Sequence, residues 1–435
     1  MRVAFVNAKT LPSNSIFYSG GSPGRCCRCK RFNGLRFSVS DLHSLFLLSL
    51  LLLSLMLLGA CSSQPLSAQY DALDIKPPSQ KELRELLNGH VLLQGQTPAL
   101  TDPDEDIFAL NTEMQNFLSV YVSSNRNKKA RLRALLSAIV RKNLLGMTYN
   151  PFKTYSAKDT FYYREGNCLS FTIMVITLAR EIGLKAKFNE VDVPPTWDMH
   201  DENTYVFYKH VNAIIEVESG QRQAVDINME DYELSYPQRI ISDRLATAQF
   251  YNNRSIEQLY ENNIEDAFRY IRKAIELEPK VGYLWGSLGT IYRRAGFLHE
   301  AELAYLQALR NSPDEVVSIS NLERLYSQQQ QKARAELFSQ LAAKARSRNP
   351  YYQYKQAQRE LEAGNLESAL ENIQAAIRGY GKEHRFYHYA AIIYQKMGDR
   401  ENVRESLQAA ARVAGRMAGD SVAKRYQNKL ERFGS

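Results

Sequence analysis

The sequence REGNCLSFTIMVITLAREI, at residues 164–182, contains the pattern around which the rest of the chain is interpreted. Its apolar residues recur at helical spacing, and further apolar residues occupy the opposite side. The stretch therefore predicts a helix that is buried on nearly all sides. Gly183 follows at a position where helices commonly end. Cys168 opens this helix, directly after Gly166 and Asn167.

Two interpretations of Cys168 follow from its position. A thiol at the start of a helix lies near the positive end of the helix dipole and near free N–H groups, and both favour the thiolate. A thiolate is what a nucleophilic cysteine requires. Cysteine is also among the most buried residue types, so a small packed side chain is the alternative.

The composition indicates an ordinary globular protein, with 44% apolar and 23% charged residues. A chain of 435 residues predicts two or three domains. The formal net charge is +8, and most of this excess lies in residues 1–61. The remaining chain offers no charge argument for nucleic-acid binding, and we expect no nucleic-acid partner.

The N-terminal segment has the pattern of an export signal. A basic region precedes a leucine-rich run at residues 45–58, and small residues follow. The run ends in LGAC at residues 58–61, which resembles a bacterial lipobox. This resemblance implies cleavage before Cys61, lipidation of its thiol, and, with Ser62 next, an outer-membrane anchor facing the periplasm. The alternative is a simple membrane-anchoring helix.

The cysteine count singles out Cys168 as a candidate reactive thiol. The chain has five cysteines: Cys26, Cys27, Cys29, Cys61 and Cys168. Cleavage would remove the first three and lipidation would consume Cys61, so the mature protein would keep one free thiol in an oxidising compartment. The first three have no second ligand cluster after them, so we predict no metal site there.

Residues 62–104 are predicted to be a linker interrupted by prolines. Only Ser79 to Asn88 looks helical, with Ser79 as a possible cap. Helical spacing then appears from Ile107 to Tyr121 and from Lys128 to Leu145.

After Gly183 the pattern changes from helical to extended. Residues 186–193 predict a first strand, residues 204–217 a second strand that contains His210, and residues 223–228 a third that carries Asp226. Residues 218–221 between the last two have the composition of a hairpin turn.

Cys168 on a buried helix, His210 on a strand and Asp226 beyond a hairpin together resemble the transglutaminase-like cysteine fold, which is related in mechanism to papain-like proteases. The resemblance covers roughly residues 100–245. The lead-in TYSA at residues 154–157 also resembles a bacterial branch in which this domain precedes helical repeats. Asn212 departs from the family pattern, because these cores often have an aromatic residue two positions after the histidine.

The resemblance implies a role for each of the three residues. Cys168 attacks an amide or acyl carbonyl, and His210 takes the thiol proton and then delivers it to the leaving amine. Asp226 holds the imidazole in the useful tautomer. The Cys168 backbone N–H is a candidate donor to an oxyanion hole.

Two aromatic residues are candidate substrate-binding residues: Tyr163, just before the cysteine helix, and Trp197, in the loop before the histidine strand. Both positions fit simple packing as well. The acidic residues and His200 near Trp197 show no recognisable ligand spacing, so we expect neither a metal nor a cofactor.

A different period begins near Ala248. Trp285-x2-Leu288-Gly289-x2-Tyr292 matches the tetratricopeptide pattern. Small residues and prolines recur 34 positions apart: Ala267 and Ala301, Ala274 and Ala308, Pro279 and Pro313, Gly364 and Gly398, Ala376 and Ala410. We predict about five repeats, starting near residues 248, 282, 316, 350 and 384. The longer interval from Pro313 to Pro350 predicts an excess near Gln328–Gln331, and the last segment predicts a cap helix.

The predicted architecture is an α+β transglutaminase-like cysteine domain followed by an all-α solenoid of tetratricopeptide repeats. Residues 1–61 form the signal, 62–104 the linker, 105–245 the cysteine domain and 246–435 the solenoid. A solenoid is a binding surface by shape, so we expect a protein or peptide partner.

Two functional hypotheses fit this organisation. The first is a membrane-tethered thiol enzyme that cleaves or transfers an amide or peptide acyl group through a cysteine thioester. The second is a non-catalytic, lipid-anchored scaffold for envelope protein assembly.

Overall fold

The computed structural model describes residues 6–8, 66–93, 103–122, 127–192, 198–201, 204–206, 210–218, 221–227 and 236–434. The predicted leucine run, Cys61 and Trp197 lie outside the described residues. The chain divides into two compact units, and Thr10–Lys76 forms one of them by itself. The other unit contains Met1–Lys9 and Pro77–Ser435.

Helix α1, Leu66–Ala72, belongs to the Thr10–Lys76 unit. The helices of the larger unit are α2 Gln80–Asn88, α3 Thr112–Tyr121, α4 Lys128–Val140, α5 Ala157–Tyr163, α6 Cys168–Glu181, α7 Asp243–Tyr260, α8 Ile264–Leu277, α9 Gly282–Arg294, α10 Leu298–Asn311, α11 Val316–Gln328, α12 Lys332–Arg348, α13 Pro350–Glu362, α14 Leu366–Gly379, α15 His384–Met397, α16 Arg400–Met417 and α17 Asp420–Gly434.

The described strands are β1 Val6–Ala8, β2 Thr148–Tyr149, β3 Glu165–Gly166, β4 Lys185–Val191, β5 Asp198–Asp201, β6 Thr204–Val206, β7 His210–Glu218, β8 Gln221–Val225 and β9 Gln238–Ile241. Five of them form one sheet in the order β1-β8-β7-β4-β9, in which every neighbouring pair is antiparallel. Strands β2 and β3 pair in parallel, and β5 pairs with β6.

Helix α6 is the core of the α+β region. Every side chain from Leu169 to Ala179 is buried, as the all-round apolar pattern predicts. The side chain of Asn167 caps its first turn, and Gly183 has a positive φ of 75° just after its end. The Thr172 hydroxyl donates a hydrogen bond of 3.1 Å to the Val211 carbonyl oxygen, which fastens the helix to β7.

Residues after 242 form five consecutive helix pairs, α7/α8 to α15/α16, followed by α17 packed on α16. This region resembles a tetratricopeptide solenoid. The predicted repeat starts at 282, 316, 350 and 384 are confirmed by the first residues of α9, α11, α13 and α15. The cap helix is also confirmed.

Three details of the predicted solenoid are wrong. The boundary at 246 and the first start at 248 fall inside α7, which begins at Asp243 because Ser242 caps it. No residues are inserted near Gln328–Gln331. Instead α12 continues to Arg348, and Pro350 occupies the first turn of α13 after the cap Asn349. Proline suits that position because its missing N–H has no partner there in any case.

The helices predicted between residues 79 and 145 are present, but some of their bounds differ from the predicted ones. Ser79 caps α2 with a capping box, as predicted, but α1 lies in what was predicted to be linker. The predicted helix at 107–121 begins only at Thr112, where Asn111 caps it. The predicted helix at 128–145 ends at Val140.

The strand predictions also need correction. The single strand predicted over 204–217 is two elements, β6 and β7, and His210 is the first residue of the second. The strand predicted over 223–228 is β8, which ends at Val225, so Asp226 directly follows it.

Close approach of paired helices makes Gly289 in α9 intolerant of a side chain. A Cβ there would lie 2.6 Å from ring carbons of the buried Tyr305. Gly415 in α16 is a matched control, because its Cβ would meet Ala423 at an ordinary 3.7 Å. We expect Gly289→Ala to lower the free energy of unfolding by ~1–3 kcal/mol. Gly415→Ala should be neutral or raise it by up to ~1 kcal/mol. Urea unfolding measures both, and equal effects would contradict the packing described.

Candidate functional site

A β-hairpin brings His210 and Asp226 together. His210 begins β7, Asp226 follows β8, and the two strands pair in register with Ala213 opposite Val225. The Nε2 atom of His210 lies 2.5 Å from Oδ2 of Asp226. The Asp226 side chain is fully buried and that of His210 is 12% exposed. The pair is therefore held in a largely dehydrated position, where such an interaction is strong.

Buried polar contacts position Cys168 at the start of α6. The Asn167 side-chain oxygen accepts the Ser170 N–H at 3.0 Å, and its amide donates to the Thr154 hydroxyl at 2.7 Å. The Ser170 hydroxyl in turn accepts the Tyr155 N–H at 2.8 Å. Asn167 thus ties the first turn of the helix to the segment before α5, and Cys168 follows it directly.

Cys168 lies close enough to His210 for its side chain and charge to act on the imidazole. Burial of the imidazole acts to lower its pKa, but the hydrogen bond to Asp226 and the interaction with Cys168, together with the charges of these groups, outweigh burial. The pKa of His210 is raised from 6.5 to about 10. A positively charged imidazole beside a cysteine favours the nucleophilic thiolate.

The two imidazole nitrogens are expected to have different tasks. Nε2 faces Asp226, so we expect Nδ1 to serve the Cys168 sulfur. An imidazole held by a carboxylate at one nitrogen exchanges its proton through the other. Of the three residues predicted from the sequence, the structure brings His210 and Asp226 into hydrogen-bond contact and places Cys168 near the imidazole.

A buried chain of amides supports Asp226, and the sequence prediction did not include it. The Asn212 amide donates to Asp226 Oδ2 at 3.1 Å, and its oxygen accepts from Asn189 at 2.9 Å. Asn189 also donates to the Gln238 side chain at 2.9 Å. Asn212 was noted only as a departure from the family pattern. Its position two residues after His210, on the same face of a strand, was the available signal.

Tyr163 lies in an exposed aromatic cluster next to the start of α6. Its ring centroid is 4.9 Å from that of Tyr155 and 5.0 Å from that of Tyr162. Tyr155 bonds to Ser170 in the first turn of the cysteine helix, so the cluster adjoins the nucleophile's element. A substrate contact at Tyr163 stays a prediction.

Within the described residues, no group of three or more histidine, cysteine or acidic side chains is arranged to hold a metal ion. None of the helices in the described part of the chain is long and apolar enough to cross a membrane.

No protein-family model matches the chain, and no curated protein matches it. Among solved structures, the chain is 16% identical to pilF of Pseudomonas aeruginosa over 44% of its own length and 93% of pilF, with a TM-score of 0.24. It is 17% identical to a MamA protein over 40% of its own length and 94% of MamA, with a TM-score of 0.22.

YrrB, described as a tetratricopeptide repeat protein with an unusual peptide-binding site, is 19% identical over 42% of this chain and 92% of YrrB, with a TM-score of 0.22. These TM-scores are low, and the helix pairs are defined by contacts within this chain.

Proposed function

We propose that this protein is a membrane-tethered thiol enzyme of transglutaminase-like type, which cleaves or transfers an amide or peptide acyl group through a thioester on Cys168. The single observation that carries the proposal is the buried His210–Asp226 pair, with Cys168 near enough to the imidazole to contribute to its raised pKa. Nucleophile, base and orienting carboxylate in mutual contact are the arrangement that activates a cysteine for acyl transfer.

The proposed reaction has two steps. In the reactive state the thiol proton of Cys168 is already held by the His210 imidazolium. The Cys168 thiolate bonds to the acyl carbonyl carbon, and the carbon–nitrogen bond then breaks as the amine leaves with the imidazolium proton. Water or a second amine next attacks the thioester carbon and gives a proton to His210. The bond between the Cys168 sulfur and the acyl carbon then breaks. The proton that His210 has just taken up is again available to the released thiolate. Hydrolysis and transfer differ only in which molecule performs the second attack.

The start of α6 supplies a candidate oxyanion donor. Cys168 is the first helical residue, and first-turn N–H groups have no partner within a helix. The Asn167 cap accepts the N–H of Ser170 rather than that of Cys168. The Cys168 N–H is therefore suited to the negative charge that develops on the carbonyl oxygen.

Anchoring through Cys61 is part of the proposal and rests on the lipobox-like sequence at residues 58–61. It implies a bacterial envelope protein held at the outer membrane and facing the periplasm. Mass spectrometry that finds an unmodified Cys61 within an uncleaved chain would contradict this part.

A protein-binding scaffold is the second candidate function, and the five helix pairs from α7 to α16 favour it. Stacked pairs present long surfaces suited to peptides or protein partners. Protein binding by the repeats is compatible with either candidate. Only the presence or absence of acyl chemistry at Cys168 distinguishes the enzyme from the scaffold.

The test is to trap the acyl-enzyme. Full-length protein is incubated with envelope extract, quenched in acid and digested with trypsin. The mass of the peptide of residues 165–180 is then measured by mass spectrometry. We expect a mass increase on Cys168 that hydroxylamine removes, because hydroxylamine cleaves thioesters.

Cys168→Ser is the matched control, since its hydroxyl is a poor nucleophile and it should show no increase. A wild-type peptide without any adduct, together with an unchanged host phenotype for Cys168→Ala, would leave the scaffold as the function.

A further inference from the structure

The α+β region contacts the first helix pair through several directional bonds. Arg180 at the end of α6 forms a bidentate pair with Asp243 of α7, at 2.6 and 2.9 Å. The Tyr251 hydroxyl of α7 accepts the Glu105 N–H at 3.1 Å. Contacts here are expected for two regions joined by a short connection.

A buried carboxylate extends this contact to the second pair. Glu190 on β4 is 2% exposed and accepts both Nε and Nη2 of Arg239, at 3.0 and 2.7 Å. Gln249 of α7 donates to the same carboxylate at 2.6 Å. Burial and the charge of nearby Glu190 raise the pKa of Tyr283 on α9, so this side chain lies next to the same carboxylate. A buried carboxylate is costly unless it is paired, so these groups bind the sheet to α7 and α9 together.

The sheet also contacts the far end of the solenoid. The Tyr236 ring packs edge-on against Tyr351 of α13, with centroids 5.9 Å apart. The Arg385 guanidinium of α15 lies over the same ring, 5.2 Å from its centroid. Two hydrogen bonds to the buried Glu383, at 2.9 and 2.8 Å, hold Arg385 in that position.

An apolar core joins these parts. Val191, Ile214 and Ala224 of the sheet and Tyr236, just before β9, belong to one buried cluster with residues of the fourth and fifth pairs, including Tyr351, Ala357, Ile373 and Phe386. Ile214 and Ala224 face each other across β7 and β8. The hairpin that carries His210 and Asp226 is thus part of the same core.

These contacts share one side of the solenoid. The polar and aromatic contacts come from α7, α9, α13 and α15, and β6 lies against α11. Each of these is the first helix of its pair, and in stacked pairs the first helices form one continuous face. A region tethered only by its connection would contact the nearest pair alone.

We infer that the face formed by the first helices is a docking surface whose partner is this chain's own α+β region. The inference rests on the protein-binding role proposed for the repeats, and it names their partner. Ile214 and Ala224 of the candidate-site hairpin pack in a core shared with this face, so a peptide that bound the face would have to displace the hairpin.

The test is hydrogen exchange of the full-length chain with Tyr236→Ala. We expect amides of α13 and α15, more than a hundred residues away in sequence, to exchange at least ~10-fold faster in this variant. Contact with the α+β region should make local unfolding of these helices rarer, and the substitution weakens that contact. Tyr236→Phe keeps the ring beneath Arg385 and should match the wild type. Tyr162→Ala removes a ring that is 69% exposed and should leave α13 and α15 unchanged.

The reciprocal variant covers the case in which Tyr236→Ala does not fold. Tyr351→Leu in α13 should speed exchange in β7 and β8, since coupling between two docked parts acts in both directions. Unchanged exchange in α13 and α15 for Tyr236→Ala, or in β7 and β8 for Tyr351→Leu, would overturn the inference. Neither result depends on acylation of Cys168, so exchange data that overturn the docking inference would not argue against the proposed thiol chemistry.

Discussion

Cys168→Ala and His210→Ala are each expected to lower the enzyme-dependent release of nitrophenolate from p-nitrophenyl acetate by ~10³-fold or more. The first variant removes the atom that bonds to the acyl carbon. The second removes the group that takes the thiol proton and stabilises the thiolate next to it. An activated ester makes the measurement possible without knowledge of the natural substrate.

The double variant should be no slower than the slower single variant, because the two groups act as one unit. Asp226→Asn should have a smaller effect, since it disturbs the orientation of the imidazole but leaves the base in place. Val120→Ala, at a side chain of α3 that is 71% exposed, is a control for surface damage. Losses that multiply in the double variant would show that Cys168 and His210 act separately.

The elements predicted well from the sequence are those whose pattern is local. Helix α6 is apolar on all sides and has a cap before it and a glycine after it, so its extent follows from a single stretch. Repeat starts at Gly282, Val316, Pro350 and His384 follow from one repeated spacing of small residues. Each of these signals lies within about 35 residues of the element it describes.

The contacts that the sequence did not predict are long-range. Tyr236 meets Tyr351 and Arg385 from more than a hundred residues away, and no local period marks such a pair. Glu190 falls within an alternating strand pattern, where a carboxylate is expected to face water. It is buried because Arg239 and Gln249 reach it from other elements.

The candidate site was only partly predictable, because its three residues are marked in the local sequence but the contacts that support them are long-range. Three reactive residue types in order on a helix, a strand and the end of a hairpin suggested Cys168, His210 and Asp226. The support that Asn212 and Asn189 give to Asp226 depends on which buried amides face one another. That depends on strand pairing, which the sequence alone did not specify.

The raised pKa of His210 determines how the site should respond to pH. The imidazole titrates near its ordinary 6.5 in the unfolded chain and near about 10 in the folded one. Its contribution to stability is therefore complete below pH ~6.5 and is lost as pH rises through about 10. Across pH ~6 to ~9 the imidazolium therefore persists, and we expect it to support labelling of Cys168 by thiol reagents throughout this range.

Without the imidazole, Cys168 should react as an ordinary thiol. Such a thiol has a pKa near ~8.5, so its thiolate fraction falls nearly tenfold for each pH unit below that value. At pH ~6 the thiolate fraction would be ~300-fold below its maximum. The largest difference between wild type and His210→Ala is therefore expected at the acidic end of the range.

Iodoacetamide labelling of Cys168 in wild type and His210→Ala across pH ~6 to ~9 tests the central claim most directly. Mass spectrometry of the peptide of residues 165–180 separates Cys168 from the other cysteines. The paired site predicts a nearly level rate for the wild type and a rate for His210→Ala that falls steeply towards pH ~6, while circular dichroism shows both folded. Coinciding profiles for the two proteins would contradict the pairing of Cys168 with His210, and with it the proposed thiol chemistry.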